Sequence, residues 1–290
     1  MNDSDTYGKY IEENGRLILE STDPEKERRE YAIRPGTYGI AADAFEGQPG
    51  LEKLIIPASL ECIPEGSLSN GGGWASDQKG ISDIEIDPDN TRFVLKGCCF
   101  CEKQANGELK LLRVTGKEEN VTVPPEVTVI GKDAFYDCSV LSVYLKGPGV
   151  TIWFPKDHGY YLKKLLEGFG KNGKLYDFAE YDRFLCGDHF NPQRIRMIRT
   201  RSCSGYDLPS DTAEQLKKNM RLHEEEVFEG VADRGTEETL EDLAASDFFT
   251  EENIDRFTDR INRTDRKDLL VWLMNYRNSC FKGAGFDFSI

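Results

Sequence analysis

The stretch Val121 to Leu145, reading VTVPPEVTVIGKDAFYDCSVLSVYL, recurs upstream in the same chain. Self-similarity with a period of a few tens of residues restricts a fold more than any single motif does. A unit of that length cannot bury its apolar face alone and has to lie against a neighbour of like sequence. Superposing the stretch on its earlier copy puts Ile130 on Ile40, Asp133-Ala134-Phe135 on Asp43-Ala44-Phe45 and Leu141 on Leu51. A second copy starts at Pro57 and lays Leu60, Cys62, Ile63, Ser67 and Leu68 over Val127, Val129, Ile130, Ala134 and Phe135, then breaks at Ser69. Its missing strand returns as Ile81-Ser82-Asp83-Ile84-Glu85-Ile86, with the apolar spacing of Leu51-Glu52-Lys53-Leu54-Ile55-Ile56. The intervening SNGGGWASDQKG reads as a loop extruded from one coil.

Stacked coils are the fold this pattern requires. Leu51, Leu54 and Ile56 lie in register with Ile81, Ile84 and Ile86, each coil covering the edge of the next. The Ala-Phe pairs supply a turn on the opposite side, with each Phe filling the space behind the sheet. In the third copy the strand is one residue short after Leu141, which turns Val143 and Leu145 inward. One shared parallel ladder through Leu54, Ile84 and Val143 is the expectation.

The consensus I-P-x-x-V-x-x-I-G-x-x-A-F-x-x-C-x-x-L-x-x-V-x-L resembles the BspA-type leucine-rich repeat of bacterial and protist proteins. VPPEVTVIGKDAFYDCSVLSVYL carries the resemblance best, and the first copy departs from it with Gln48 where Cys138 stands. The resemblance implies a right-handed β-solenoid with one short strand per turn and a role in protein or surface binding, and it brings no catalytic residues. The hairpin insertion of that family, N-x-x-F-x-x-x-x-G-x-L-x, is similar to the segment at Asn90, Phe93 and Gly97.

GRLILE, within Tyr7 to Glu20, predicts a strand capping the open end, because terminal units must be atypical to stay soluble. Asp23 to Glu30 is a charged, solvated loop. Between Asp87 and Val123, FVLKGCCF and ELKLLRV predict two strands joined at Gln104-Ala105-Asn106-Gly107, whose Asn-Gly step favours a tight turn. From Tyr160 onward helix formers replace β-branched residues. Helices are expected in YYLKKLLEGFG, in LYDFAEYDRFL and from Pro192 to Met197. Others run from Asp211 toward Gly230, from Thr236, from Thr250 with Ile254, Phe257 and Ile261 on one face, and from Thr264 or Asp265. The string from Thr239 to Tyr276 resembles the helical tail that often accompanies BspA-type repeats in Firmicutes proteins and has an ankyrin-like cadence. The predicted fold class is α+β: a leucine-rich-repeat β-solenoid over 1–155, with a hairpin insertion at about 87–120, succeeded by an all-α helical hairpin domain over 156–290.

A formal charge of -15 argues against a nucleic-acid partner, since binding phosphates needs a basic face. MNDSDTYGKYIEENG has neither the basic n-region nor the apolar h-region of a secretory signal, and no run approaches the roughly 20 apolar residues of a membrane span. A cytoplasmic location and no membrane partner are the expectations. Eight cysteines occupy repeat and core positions rather than a disulfide framework, which suits buried thiols.

Several residues invite a chemical reading. Cys98, Cys99 and Cys101, or Cys186 with His189, could ligate a metal or serve an enzyme, but strand alternation sends Cys98 away from Cys99 and Cys101. His158, His189 and His223 have no nucleophile beside them in sequence. Arg194-Ile195-Arg196-Met197-Ile198-Arg199-Thr200-Arg201 could dock an acidic partner or a phosphate. The favoured account has Ile195, Met197 and Ile198 inward and the arginines paired with the acids around Glu224-Glu225-Glu226. The outward strand positions Lys53, Ile55, Asp83, Glu85, Ser142 and Tyr144 form a candidate partner-binding strip, with Trp74 on its glycine-rich loop as a second candidate. No catalytic residue, metal or cofactor is expected. The reading is a non-enzymatic protein-protein interaction module, with an enzyme or metal protein and a structural subunit of a larger assembly as alternatives.

Overall fold

The repeat does become a β-solenoid in the computed structural model, which describes residues 7–68, 81–132, 134–135, 138, 140–155, 159–187, 192–204 and 206–281. Strands β1 (Gly8–Glu13) and β2 (Arg16–Thr22) form an antiparallel hairpin turning at Asn14-Gly15. This is the expected cap, with two strands rather than one, so that β2 is paired on both sides. The next coils carry β3 (Glu30–Ala32) with β4 (Thr37–Ile40), then β5 (Lys53–Ile56), then β6 (Asp83–Ile86). On one face β3, β5 and β6 pair in parallel, with Tyr31, Leu54 and Ile84 in one register. On another β4 runs parallel to β2 and is bridged from Gly39 to Cys62 of the adjoining coil. Between these faces Leu19, Tyr31, Ile40, Phe45, Leu51, Leu54, Ile56 and Ile81 form one buried cluster.

The equivalence of the copies extends to individual hydrogen bonds. Ala44 N–H donates to the Ala41 carbonyl at 3.2 Å, and Ala134 N–H to that of Gly131 at 3.1 Å. Gln48 to Phe45 and Cys138 to Phe135 are both 3.3 Å. The Ala44 and Ala134 carbonyls accept from Thr22 and Val114 of the neighbouring coil at 2.9 and 2.7 Å. Such close backbone approach leaves room only for a small side chain, and the Phe next to it is then enclosed. Ala44, Phe45, Ala134 and Phe135 are all buried. Ser67 and Leu68 take the same places in the shorter copy, with the Ser67 hydroxyl satisfied by Pro64 O at 2.7 Å. One alignment shifts. Leu141 N–H and Ser142 N–H share the Glu119 carbonyl as Glu52 and Lys53 share that of Arg29, so Val140, not Leu141, holds the buried place of Leu51. Val143 and Leu145 are buried as expected.

The ladder through Leu54 and Ile84 does not continue to Val143, and the reason is the insertion. Three strands, not two, come after β6: β7 (Phe93–Lys96), β8 (Cys99–Lys103) and β9 (Leu109–Val114), an antiparallel meander. FVLKGCCF is split by a two-residue turn at Gly97-Cys98. Phe93 and Phe100 join the buried cluster of the earlier coils. Strand β9 then runs parallel to β11 (Val127–Ile130), while β10 (Asn120–Val123) pairs with β12 (Ser142–Leu145), putting Val143 opposite Val121. Asn90 anchors the insertion: its amide donates to the carbonyls of Pro57 and Leu60 while its oxygen accepts from Arg92 and Phe93 N–H. Val150–Trp153 forms β13.

The chain divides into two compact units, Met1–Gly149 with Lys156–Glu180, and Val150–Pro155 with Tyr181–Ile290. The first includes α1 (Gly159–Leu166) and the aromatic stack of Phe135 on Phe169, centroids 4.0 Å apart. Of the expected LYDFAEYDRFL helix only α2 (Ala179–Leu185) forms, because Tyr176 is held extended opposite Phe169 and its hydroxyl donates to Leu165 O at 2.8 Å.

The second unit is an array of helices: α3 (Pro192–Ser204), α4 (Ser210–Leu222), α5 (Glu224–Arg234), α6 (Glu237–Ala245), α7 (Glu251–Asn262) and α8 (Lys267–Cys280). The helix expected from Asp211 to Gly230 is broken at His223, and Pro209, not Asp211, stands at its cap. The break lets Phe228 stack on Phe257 at 4.5 Å. Thr236 and Thr250 cap α6 and α7 as read, each in a reciprocal box, with Thr239 and Asn253 respectively. Thr250→Ala is expected to cost about 1 kcal/mol of stability in this unit; an unchanged urea midpoint would show that α7 is held without its cap.

Candidate interaction surface

Because β3, β5 and β6 are in register, their outward side chains fall into two rows: Glu30, Lys53, Asp83 and Ala32, Ile55, Glu85. Glu30, Ala32, Asp83 and Glu85 are exposed, while Lys53 and Ile55 in the central strand are half-buried by their neighbours. The Lys53 ammonium lies 2.9 Å from Glu85 and 3.6 Å from Glu30. Its hydrogen bond to the Glu85 carboxylate holds the Lys53 pKa above the ordinary lysine value. The row is thus an acidic strip with one saturated cation and an apolar step formed by Ala32 and Ile55. Glu30 and Ala32 escaped the sequence reading, although Glu30-Tyr31-Ala32-Ile33 shows the period-two alternation that marks a strand.

On the later coils Tyr144 is 38% exposed beside Thr122 of β10. Ser142, expected outward and open, is buried, its hydroxyl donating to Asn120 Oδ1 at 2.7 Å, so it offers no surface. Since Tyr144 belongs to a different sheet from Ile55, the two do not form one continuous strip. Trp74 lies outside the described residues.

The Arg194–Arg201 segment is internal. Ile195, Met197 and Ile198 are buried as expected, and so are Arg194 and Arg201 themselves. The partners differ from those expected. Arg196 and Arg199 reach Asp242, Arg196 also reaches Glu238 and covers the Trp153 ring at 4.5 Å, and Arg201 forks onto Asp182. Glu224 and Glu225 pair instead with Arg256, and Glu225 and Glu229 with Arg260, a ladder that fixes α5 against α7. Glu225, Glu229, Arg256 and Arg260 line an open cleft of about 770 Å³. A phosphate docking on the arginine segment would have to compete with Asp182, Glu238 and Asp242, since Arg196, Arg199 and Arg201 are each already paired.

Cys99 and Cys101 point into the protein and Cys98 sits in the turn between β7 and β8. Burial pushes the Cys101 thiol up to about 12. Among the described residues no group of three or more His, Cys, Asp and Glu could hold a metal ion. Cys186 is half-buried and its thiol raised by burial, while His158 and His189 lie outside the described residues. His223 contacts Glu226 at 3.4 Å. Among the described residues no helix is long and apolar enough to cross a membrane.

No protein-family model matches the chain, and no curated protein matches it by sequence. Parts of it are similar to three solved structures. A leucine-rich repeat protein from Eubacterium ventriosum aligns at 17% identity and a TM-score of 0.33, over 42% of this chain and 30% of that one. A leucine-rich cell surface protein from Faecalibacterium prausnitzii aligns at 22% and 0.28, over 38% and 32%. The pneumococcal vaccine antigen PcpA aligns at 13% and 0.33, over 45% and 38%. The chain spans about a third of the length of these structures.

Proposed function

We propose that this chain is a non-enzymatic protein-interaction module that meets its partner through the outward faces of the solenoid sheets. The supporting observation is the parallel register of β3, β5 and β6, which fixes Ile55 beside Ala32 and Glu85 on a backbone that cannot rearrange without breaking its ladder. A preordered apolar step within a charged surround costs little conformational entropy on binding. Tyr144 is a second anchor of the kind that dominates interfaces. Ile55→Glu and Tyr144→Asp are each expected to reduce capture of a specific partner from the native cell roughly ten- to thirty-fold. Both side chains are partly exposed, so the thermal midpoint should hold. Capture that survives both substitutions, with the fold intact by circular dichroism, clears these faces of involvement.

A further inference from the structure

Cys98 and Cys99 lie at a place the interaction surface does not use. Lys96 pairs with Cys99 across the β7–β8 hairpin, which leaves Gly97 and Cys98 as its two-residue turn. The Cys98 carbonyl is pinned from β9's end by the Thr115 amide at 2.7 Å and the Thr115 hydroxyl at 3.1 Å. Cys98 is therefore fixed in place with its side chain partly open, while the next residue, Cys99, is wholly buried. One accessible thiol backed by an adjacent enclosed one is the arrangement of an attacking and a resolving cysteine. The acidities agree with that division. The Cys99 S–H beside it steadies the Cys98 thiolate and lowers its pKa, against the opposing pull of burial and of the Glu118 carboxylate. In the reduced pair Cys99 is raised by Cys98 and by burial, so it is the one that keeps its proton. Thiolates, not thiols, are the nucleophiles.

We propose that Cys98 and Cys99 form an oxidation site for hydroperoxides, closing to a disulfide between adjacent residues. The Cys98 thiolate attacks one peroxide oxygen and the O–O bond breaks, leaving a sulfenic acid on Cys98 and a hydroxide that takes up a proton. That hydroxide draws its proton from Cys99, whose pKa falls once Cys98 has lost its negative charge; the Cys99 thiolate attacks the sulfenic sulfur, the S–S bond forms, and the departing hydroxide takes up a proton from solvent to leave as the second water. Two thiols and one hydrogen peroxide give one disulfide and two waters, two electrons passing from sulfur to oxygen. The Thr122 carbonyl, 3.5 Å from the Cys99 sulfur, is the alternative acceptor for that same S–H, and Thr122 lies opposite Tyr144 in the β10–β12 ladder. Oxidation removes that donor at the edge of the second candidate surface.

The test is brief exposure of the full chain to hydrogen peroxide, alkylation of the remaining thiols with N-ethylmaleimide, digestion, and mass spectrometry. The expected product is the peptide spanning Cys98 to Cys101 lighter by two hydrogen atoms, with Cys101 alkylated and the change reversed by dithiothreitol. Cys98 should react roughly tenfold faster than the exposed Cys62. Cys98→Ser should abolish the product and Cys101→Ser should leave it. Cys99→Ala should stop the reaction at a sulfenic acid that dimedone traps on Cys98. A Cys98 that stays alkylatable, or a link that runs to Cys101, overturns the assignment.

Discussion

Asp182→Ala is expected to destabilise the helical unit by about 3–5 kcal/mol, because it strands a buried charge. The Arg201 side chain is fully enclosed, and Asp182 takes both ends of its fork, at 2.7 Å from Nε and 3.0 Å from Nη2. The carbonyls of Tyr206 and Asp207 accept from Nη1 and Nη2, so the guanidinium ties α2 and α3 to the loop before α4. Without the carboxylate those carbonyls satisfy hydrogen bonds but not charge. Replacing both partners by apolar residues of similar shape, Asp182→Leu with Arg201→Met, is expected to recover most of the loss, since it removes the desolvation cost along with the attraction. Urea unfolding paired with hydrogen exchange in α3 measures both variants. A single-variant loss no larger than that of an exposed ion pair, about 1 kcal/mol or less, would mean that water reaches the pair.

Gly170→Ala is expected to be the most damaging conservative change in the first unit. Gly170 sits at φ 67, and a Cβ built there would lie 2.1 Å from the Ile130 carbonyl oxygen, a backbone atom fixed in β11. The left-handed backbone costs about 1–2 kcal/mol for a residue with a Cβ. Pushing the segment off β11 adds overpacking of about 1–3 kcal/mol and pulls Phe169 away from Phe135. Gly149→Ala isolates the first of these effects, because Gly149 has φ 70 but nothing within 4 Å of a Cβ. The Gly170 variant should therefore melt well below the Gly149 variant. Equal midpoints would show that the 168–176 segment does not lie on Ile130 in solution.

The two variants mark where sequence reading succeeds and where it stops. Ala44-Phe45 and Ala134-Phe135 were legible because they are repeated, and repetition signals a shared environment. Thr236 and Thr250 were legible because a cap is satisfied within its own first turn. The break at His223 was not, since no Gly or Pro marks it and the contacts α5 makes beyond it, such as Phe228 on Phe257, are distant in sequence. Arg196, Arg199 and Arg201 of α3 pair with acids as expected but with different ones, while Arg194 donates to the Gly187 carbonyl and covers the Phe184 ring, because charge pairing has no sequence register. Asp182, Glu238 and Asp242 are supplied by other helices, and the glutamates nearest in expectation were taken by Arg256 and Arg260. For the candidate surface, Lys53, Ile55, Asp83 and Glu85 face outward as alternation requires, while Ser142 obeys the same alternation and is closed over by its neighbours.

The sequence by itself determined the coil: the spacing of its buried residues, its Ala-Phe turns and the helical character of the C-terminal half, all set by local periodicity and by the requirement that like units cover one another. Tertiary structure alone decided which coils share a ladder. The three-stranded insertion packs its own Phe93 and Phe100 into the earlier core, and strand pairing is exclusive, so Val143 found Val121 rather than Ile84. A hydrogen-bonding edge accepts one neighbour, and which neighbour arrives depends on the path of the whole chain.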